Sequence, residues 1–284
     1  MKIYSDENNN SEIDKNNNND LGLPVLLSEV KEAVRRLPNN KAVGHHNLPA
    51  ELLKTGNEEL LKILCQLCNQ ILKTGKWPTD WRKSLFITLP KVTGTAECDE
   101  HRSISLISHT SKSLLRVLLK RSEQTAEEQF SEHQAGFRRG VGTRDQIFNL
   151  RIVMEKAREF NTPLYMAFID YKKAFDSVRH SALWKIIKRM GVKPYIITTM
   201  RNLYLEQQAA ARVEKETTEW FKIGKGTRQG CLASLILFNW YSEEIMRISV
   251  DEFSWIEVSI SGRTFKNLRY ADDIVLISTS MEGL

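Results

Sequence analysis

At 284 residues the chain is long enough for one large domain or two intimately joined subdomains around a sizeable core. Its 41% apolar and 27% charged residues are those of a soluble globular protein, and no apolar run is long enough to span a bilayer. The polar, Asn-rich opening excludes a secretory signal, four cysteines suit a reducing compartment, and a formal charge of +6 favours polyanionic partners over a membrane.

The first elements carry little chemistry. Residues 1–20 are low in complexity and rich in Asn, and they predict a disordered lead-in that is itself acidic, so the basic charge belongs to the body that follows. Ser28 to Leu37 sets Val30, Ala33, Val34 and Leu37 on one helical face. His45 and His46 sit in a loop, and no second ligand pair at metal spacing lies near them, so they read as loop residues. Leu60 to Leu72 is strongly amphipathic and stops before Gly75. Cys65 and Cys68 fall on or beside its apolar stripe and read as core.

Basic residues then appear at strand ends and in a loop. Ser84 to Lys91 predicts a strand that delivers Lys91 to its end; Ser103 to Ile107 predicts a second, entered through Arg102. Such a pair can set two cations over a triphosphate, and from this fragment alone it reads equally as a solvated hairpin. Ser111 to Arg121 is a basic helix. The loop from Gln134 to Asp145 is punctuated by glycine but fits neither a dinucleotide fingerprint nor a P-loop. Its arginines, Arg138, Arg139 and Arg144, suit contacts to a nucleic-acid backbone, or simply a solvated loop. Ile147 to Phe160 continues as a helix.

The acidic positions follow. Leu164 to Ile169 is a continuous apolar run, which predicts a strand buried on both faces and ending at Asp170. Asp176 reads as a tether for local backbone or a helix cap, ahead of a helix from about Ser181 to Met190. Gly226 to Cys231 is a loop leading into a buried helix; Gly230 permits close approach of a flat ligand, and the Gln229 amide can hydrogen-bond it. Val258 to Thr264 predicts a strand and turn feeding Leu268 to Ile277, a hairpin with Asp272 and Asp273 at its tip. Carboxylates from two strands, brought side by side, can hold two divalent cations ~3.5–4 Å apart, the arrangement that stabilises entering and leaving oxygens in phosphoryl transfer.

Taken together, Phe168-Ile169-Asp170-Tyr171-Lys172-Lys173-Ala174-Phe175-Asp176, Gly226-Thr227-Arg228-Gln229-Gly230-Cys231 and Tyr270-Ala271-Asp272-Asp273 stand in the order and spacing of three reverse-transcriptase signatures. The flanks from Trp77-Pro78 to Lys91, His101 to Ser105, and Gln134 to Arg138 resemble the non-LTR (LINE-type) retrotransposon class, over nearly the whole chain from Val25. The resemblance implies an α+β, right-hand polymerase fold, with an antiparallel palm sheet backed by helices. It implies fingers over residues 21–150 and a palm over 151–284 that is incomplete at its C-terminus, with the thumb and an upstream endonuclease domain missing.

It also implies roles. Asp170 and Asp272 would hold the metals with the backbone carbonyl of Tyr171, and Asp273 would be the second acid of the hairpin. Phe175 would exclude a 2′-hydroxyl, Gln229 and Gly230 would floor the dNTP pocket, and Lys91 and Arg102 would reach the triphosphate. Two Mg²⁺ ions are implied as cofactors, with Mn²⁺ as the alternative. RNA template, DNA primer and dNTPs are the implied partners, inside the cell in the nucleus or cytoplasm. The chain departs from related elements at Gly44-His45-His46-Asn47, where Gly-Pro-Asp-Gly is usual, and at Ser234-Leu235, where Ser-Pro is usual. The alternative is a catalytically inactive, nucleic-acid-binding remnant of such an element.

Overall fold

The computed structural model describes residues 22–45, 47–95, 97, 100–213, 216–252, 258–260 and 263–283. The predicted disordered lead-in lies outside the described residues. The fold is α+β, and by compactness the chain forms two interleaved units. The first comprises Met1–Thr125 and Phe175–Ser234, the second Ala126–Ala174 and Leu235–Leu284. This grouping differs from a single boundary at residue 150. The reason is strand pairing, because residues after 174 return to pair beside the early hairpin, while residues after 234 pair with the strand that precedes Asp170.

In the first unit, α1 (Leu27–Arg35), α2 (Ala50–Thr55) and α3 (Glu58–Thr74) precede the hairpin of β1 (Lys83–Pro90) and β2 (His101–Leu106). Asn57 caps α3 by accepting from Leu60 N, and Gly75 closes it at φ 67°. Cys68 is fully buried and its thiol is pushed up to about 12 by burial, while Cys65 donates to the Val25 carbonyl at 3.2 Å. Cys68 therefore packs the core, and Cys65 lies half-buried at its edge. The first half of β1 is buried and its last three residues are exposed, so the hairpin leaves the core as it runs toward Lys91.

The rest of this unit starts after Asp176. α6 (Ala174–Ser177) spans the junction of the two units, and α7 (His180–Arg189) and α8 (Pro194–Leu205) follow it. β4 (Gln208–Val213) then lies parallel to β1, Lys83 opposite Gln208, with β5 (Glu216–Thr217) and β6 (Phe221–Lys222) antiparallel to it. The sheet order is β2-β1-β4-β5, with β6 also on β4. Ala209 and Ala210 are fully buried, and alanine side chains leave room for close packing on both sides of β4. α4 (His109–Gln129) starts in this unit and ends in the other.

The second unit holds α5 (Thr143–Glu159), β3 (Tyr165–Ile169), most of α9 (Leu232–Glu252), β7 (Val258–Ile260), β8 (Arg263–Phe265), β9 (Asn267–Tyr270) and β10 (Asp273–Ser278). Its main sheet is antiparallel in the order β3-β10-β9. The strand buried on both faces is β10. Val275 and Ile277 pack with Val153 and Leu150 of α5, and Ile274 and Leu276 with Met246 of α9. The predicted double burial of the strand before Asp170 is corrected: β3 is an edge strand and its Phe168 is 74% exposed. A continuous apolar run does not distinguish a central strand from an edge whose outer residues flank a cavity. Among the described residues, no helix is long and apolar enough to cross a membrane.

Candidate active site

The acidic positions assemble in the second unit. β3 and β10 pair with Ile169 opposite Ile274 and Phe168 opposite Val275. Continuing that ladder by one step sets Asp170 opposite Asp273, on the same face of the sheet. Asp272 stands in the β9–β10 turn beside them, and both Asp170 and Asp273 are exposed. These two acids also line a cavity of 330 Å³ between α5 and the sheet, with Ile147, Leu150 and Phe168 as its apolar wall.

The turn is held in an unusual conformation. Ala271 has φ 58°, the left-handed region that a Cβ disfavours by roughly 1–2 kcal/mol. Gln134, fully buried, braces it: its Oε1 accepts from Ala271 N at 2.9 Å and from Gly136 N at 2.8 Å, and its Nε2 donates to Ala271 O at 3.3 Å. The loop carrying Gln134 also pairs with β9, since Ala135 N donates to Arg269 O and Arg269 N to His133 O, each at 2.9 Å. Gly136 is required by closeness, because a Cβ there would overlap Ala271 N and stand 2.8 Å from Ala271 Cα. Asn239 of α9 ties the Gly136 carbonyl at 2.7 Å.

Next to the turn, Arg269 is 2% exposed and pairs with buried Glu243 at 3.2 Å. Burial raises the Tyr171 phenol above its usual range, against the opposing effect of nearby Arg269. The sequence reading missed Gln134, Gly136, Asn239 and the Arg269–Glu243 pair as parts of this site. The signal on offer was a glutamine two residues before a glycine, in a stretch that drew notice as a basic loop and as one flank of the family resemblance, with no role assigned to either residue.

Of the three loop arginines, Arg138 needs correction. Its guanidinium bonds Glu127 at 2.8 Å and the carbonyls of Ser131 and Gln134 at 2.6 and 3.1 Å. These contacts use the fork internally, so Arg138 is a brace for the loop and not a group free for a nucleic-acid backbone. Arg139 and Arg144 are exposed.

The positions matched to a nucleotide pocket lie in the first unit. Lys91 N donates to Glu100 O at 2.7 Å, continuing the β1–β2 ladder, in which Leu89 faces Arg102. Lys91 and Arg102 are therefore diagonal neighbours on one exposed face near the hairpin end. On the same strand, Ser105 N donates to Gln229 O at 2.7 Å, and a Cβ on Gly230 (φ 97°) would come 2.9 Å from Ser105 O. Gln229 Nε2 donates to Asp176 Oδ1 at 2.9 Å, so Asp176 orients the Gln229 amide. Thr227 N donates to the Phe175 carbonyl at 2.8 Å, which links half-buried Phe175 to this loop. Arg228, 3% exposed, anchors the loop by donating to Gln207 and to the carbonyls of Trp81 and Arg82.

Among the described residues, no three His, Cys, Asp or Glu side chains come together as a closed metal site. Asp170 at the end of β3 and the Asp272-Asp273 turn make an open, all-oxygen set. That suits a hard divalent cation that takes its remaining ligands from water and substrate phosphate. The residues fit such an ion; they do not form a closed cage.

An antiparallel sheet with acids at the junction of neighbouring strands, packed between α5 and α9, is the palm of a right-hand polymerase. The solved structure of apo telomerase from Candida tropicalis, truncated from its C-terminal domain, carries the same fold at TM-score 0.51 and 14% identity, covering 78% of this chain and 50% of that one. A profile described as reverse transcriptase (RNA-dependent DNA polymerase) matches residues 89–284, and the chain belongs to that family. Its relatives include proteins named for retrotransposable and mobile elements. The retrovirus-related Pol polyprotein from type-1 retrotransposable element R2 of Nasonia vitripennis is 26% identical over 92% of this chain and 24% of its own length. The RNA-directed DNA polymerase from mobile element jockey of Drosophila melanogaster is 25% identical over 90% of this chain and 28% of its own. The chain thus spans about a quarter of the length of these curated relatives.

Proposed function

We propose that this chain carries the nucleotidyl-transfer centre of an RNA-directed DNA polymerase of a non-LTR retrotransposon, acting inside the cell in the nucleus or cytoplasm. The observation that carries this reading is the β3–β10 register, which brings Asp170 and the Asp272-Asp273 turn together in a member of the family. Asp170 and Asp272, with the Tyr171 carbonyl, would hold the metal ions, and Asp273 would complete the acidic edge. Two divalent ions held there, Mg²⁺ by the hardness of the oxygen donors, would supply charge for the entering and leaving oxygens.

The remaining groups bind and orient. Lys91 and Arg102, on one face of the hairpin, would neutralise the triphosphate. Gln229, aimed by Asp176, and Gly230 would form the floor under the incoming dNTP, and Phe175 would leave no room for a 2′-hydroxyl. Arg139 and Arg144 would contact the backbone of the RNA template or DNA primer. The primer 3′-hydroxyl then attacks the α-phosphate in line, pyrophosphate leaves, and positioning with fixed charge lowers the barrier.

The test is extension of a DNA primer on an RNA template with Mg²⁺, comparing dNTPs with rNTPs and the parent chain with Asp272→Ala. Extension with dNTPs alone, abolished in the variant, is the expected result. RNA binding that is salt-sensitive and indifferent to Asp272→Ala, with no extension by either protein, would replace the proposal with a non-catalytic binding remnant.

A further inference from the structure

We propose that Gln134 is a positioning residue for the aspartate turn: its buried carboxamide holds the left-handed Ala271 peptide, and so fixes where Asp272 and Asp273 present their carboxylates. The inference rests on reading that turn as the metal-holding edge of a polymerase and adds the device that shapes it. Gln134 is fully buried, so it touches neither template nor nucleotide. Its carboxamide grips both sides of one residue: Oε1 takes Ala271 N at 2.9 Å and Nε2 gives to Ala271 O at 3.3 Å. The residue it grips is the one that immediately precedes the acids and sits at φ 58°. Left to itself, an alanine there favours a right-handed or extended backbone, which would swing the following carboxylates out of register with Asp170.

The grip is itself held from behind. Gly136 N donates to the same Oε1 at 2.8 Å, and that second N–H fixes which end of the amide faces the turn. Arg138 draws in the Ser131 and Gln134 carbonyls while Glu127 holds its fork. Asn239 pins the Gly136 carbonyl, and Gln146 Nε2 donates to the carbonyls of His133 and Arg269 at 2.8 and 3.3 Å. Every polar group of the Gln134 loop that these bonds use is turned toward the β9–β10 hairpin or its supports. A loop whose only task was to connect α4 with α5 needs none of this.

The experiment measures Mn²⁺ binding to the whole chain by water-proton relaxation, well below the melting midpoint of every variant. Asp170→Ala and Asp272→Ala are expected to abolish the tightest-bound Mn²⁺. Gln134→Met, which keeps the shape and removes both polar ends, is expected to weaken it about tenfold, the scale of lost ligand-orienting contacts. Val153→Ala, a cavity behind the same sheet, is expected to lower the melting midpoint and leave Mn²⁺ affinity unchanged. In an Ala271→Gly background, where the left-handed conformation needs no brace, Gln134→Met is expected to change affinity by less than about threefold.

Should Gln134→Met fail to fold alone, the account requires that Ala271→Gly restore folding to the double variant; failure to restore it overturns the proposal. If the aspartate variants lose Mn²⁺ while Gln134→Met binds as the parent does, the positioning role is wrong and the polymerase reading stands. If the aspartate variants bind Mn²⁺ normally, both fall together.

Discussion

Two loops, one in each unit, must place an amide or a carboxylate with precision, and they do so by opposite means. The 226–231 loop uses glycine where the backbone turns left-handed, at Gly226 (φ 87°) and Gly230 (φ 97°), and reaches its neighbours through main-chain bonds to Phe175, Val178 and Ser105. The 270–273 turn puts alanine at the left-handed position and needs the side chain of a distant glutamine to keep it there. Glycine makes a conformation available at a cost in chain entropy; a braced alanine makes it costly to leave and narrows what the turn can do. The teaching is that an orienting loop for a flat ligand can be permissive, whereas a carboxylate edge that must match a partner strand is built stiff.

Substitutions sharpen the contrast, beginning with the largest effect. Gly136→Ala sets a Cβ against the Ala271 backbone, and neither side is a flexible side chain, so chemical denaturation should show a loss of about 3 kcal/mol. A loss below about 1 kcal/mol would mean the latch gives way freely and the turn is not stiff. Gly226→Ala meets both an unfavourable φ and Asp176 Cα at 3.0 Å, and should cost about 2 kcal/mol in the same measurement. If its cost exceeded that of Gly136→Ala, the stiff and permissive assignments would have to be exchanged.

A pH series addresses the ion pair that ties α1 to α4 in the first unit. Arg121 bonds Glu29 at 2.7 Å and holds its carboxyl below the usual carboxylate range, against the opposing effect of burial. The folded state therefore takes up this proton less readily than the unfolded chain. The contribution is complete above the unfolded carboxylate pKa and is lost as pH falls through the depressed folded value. Glu29→Gln should thus cost about 1 kcal/mol at neutral pH, with the difference from the parent shrinking in acid. A difference that grew on acidification would contradict the ion pair. Smallest of all, Ala271→Gly removes the Cβ penalty but adds unfolded-chain freedom, so stability should rise by no more than about 0.5 kcal/mol. A clear loss would show that Ala271 is not strained.

Much of this was legible in the sequence because the pattern and the structure obey the same periods. The amphipathic stripe from Leu60 to Leu72 falls within α3, the Ser84 and Ser103 strands become β1 and β2, and the aspartate hairpin forms where two adjacent acids separate two short runs. The segment from Lys193 to Lys222 was not legible. β4 reads Gln-Ala-Ala-Ala-Arg-Val, whose alanines favour a helix, and only pairing with β1 more than a hundred residues away makes it a strand. The same limit hid Gln134 and Asp176. Each acts on a residue far along the chain, Ala271 in one case and Gln229 in the other, and short-range spacing carries no record of such a bond. Arg138 was misread for the converse reason, since charge is visible in a sequence and the carbonyls that absorb it are not.

The most direct test of the central claim is single-nucleotide addition by Asp170→Asn on an RNA template, with the parent chain and Gly226→Ala alongside. Asp170 lies exposed at the end of β3, so the amide should leave the fold intact while removing the charge that faces the aspartate turn. The account predicts a fall in rate of at least about a thousandfold with RNA binding and melting midpoint unchanged. Addition at the parental rate by Asp170→Asn would contradict it, because the β3–β10 junction would then not be where the phosphoryl group is transferred.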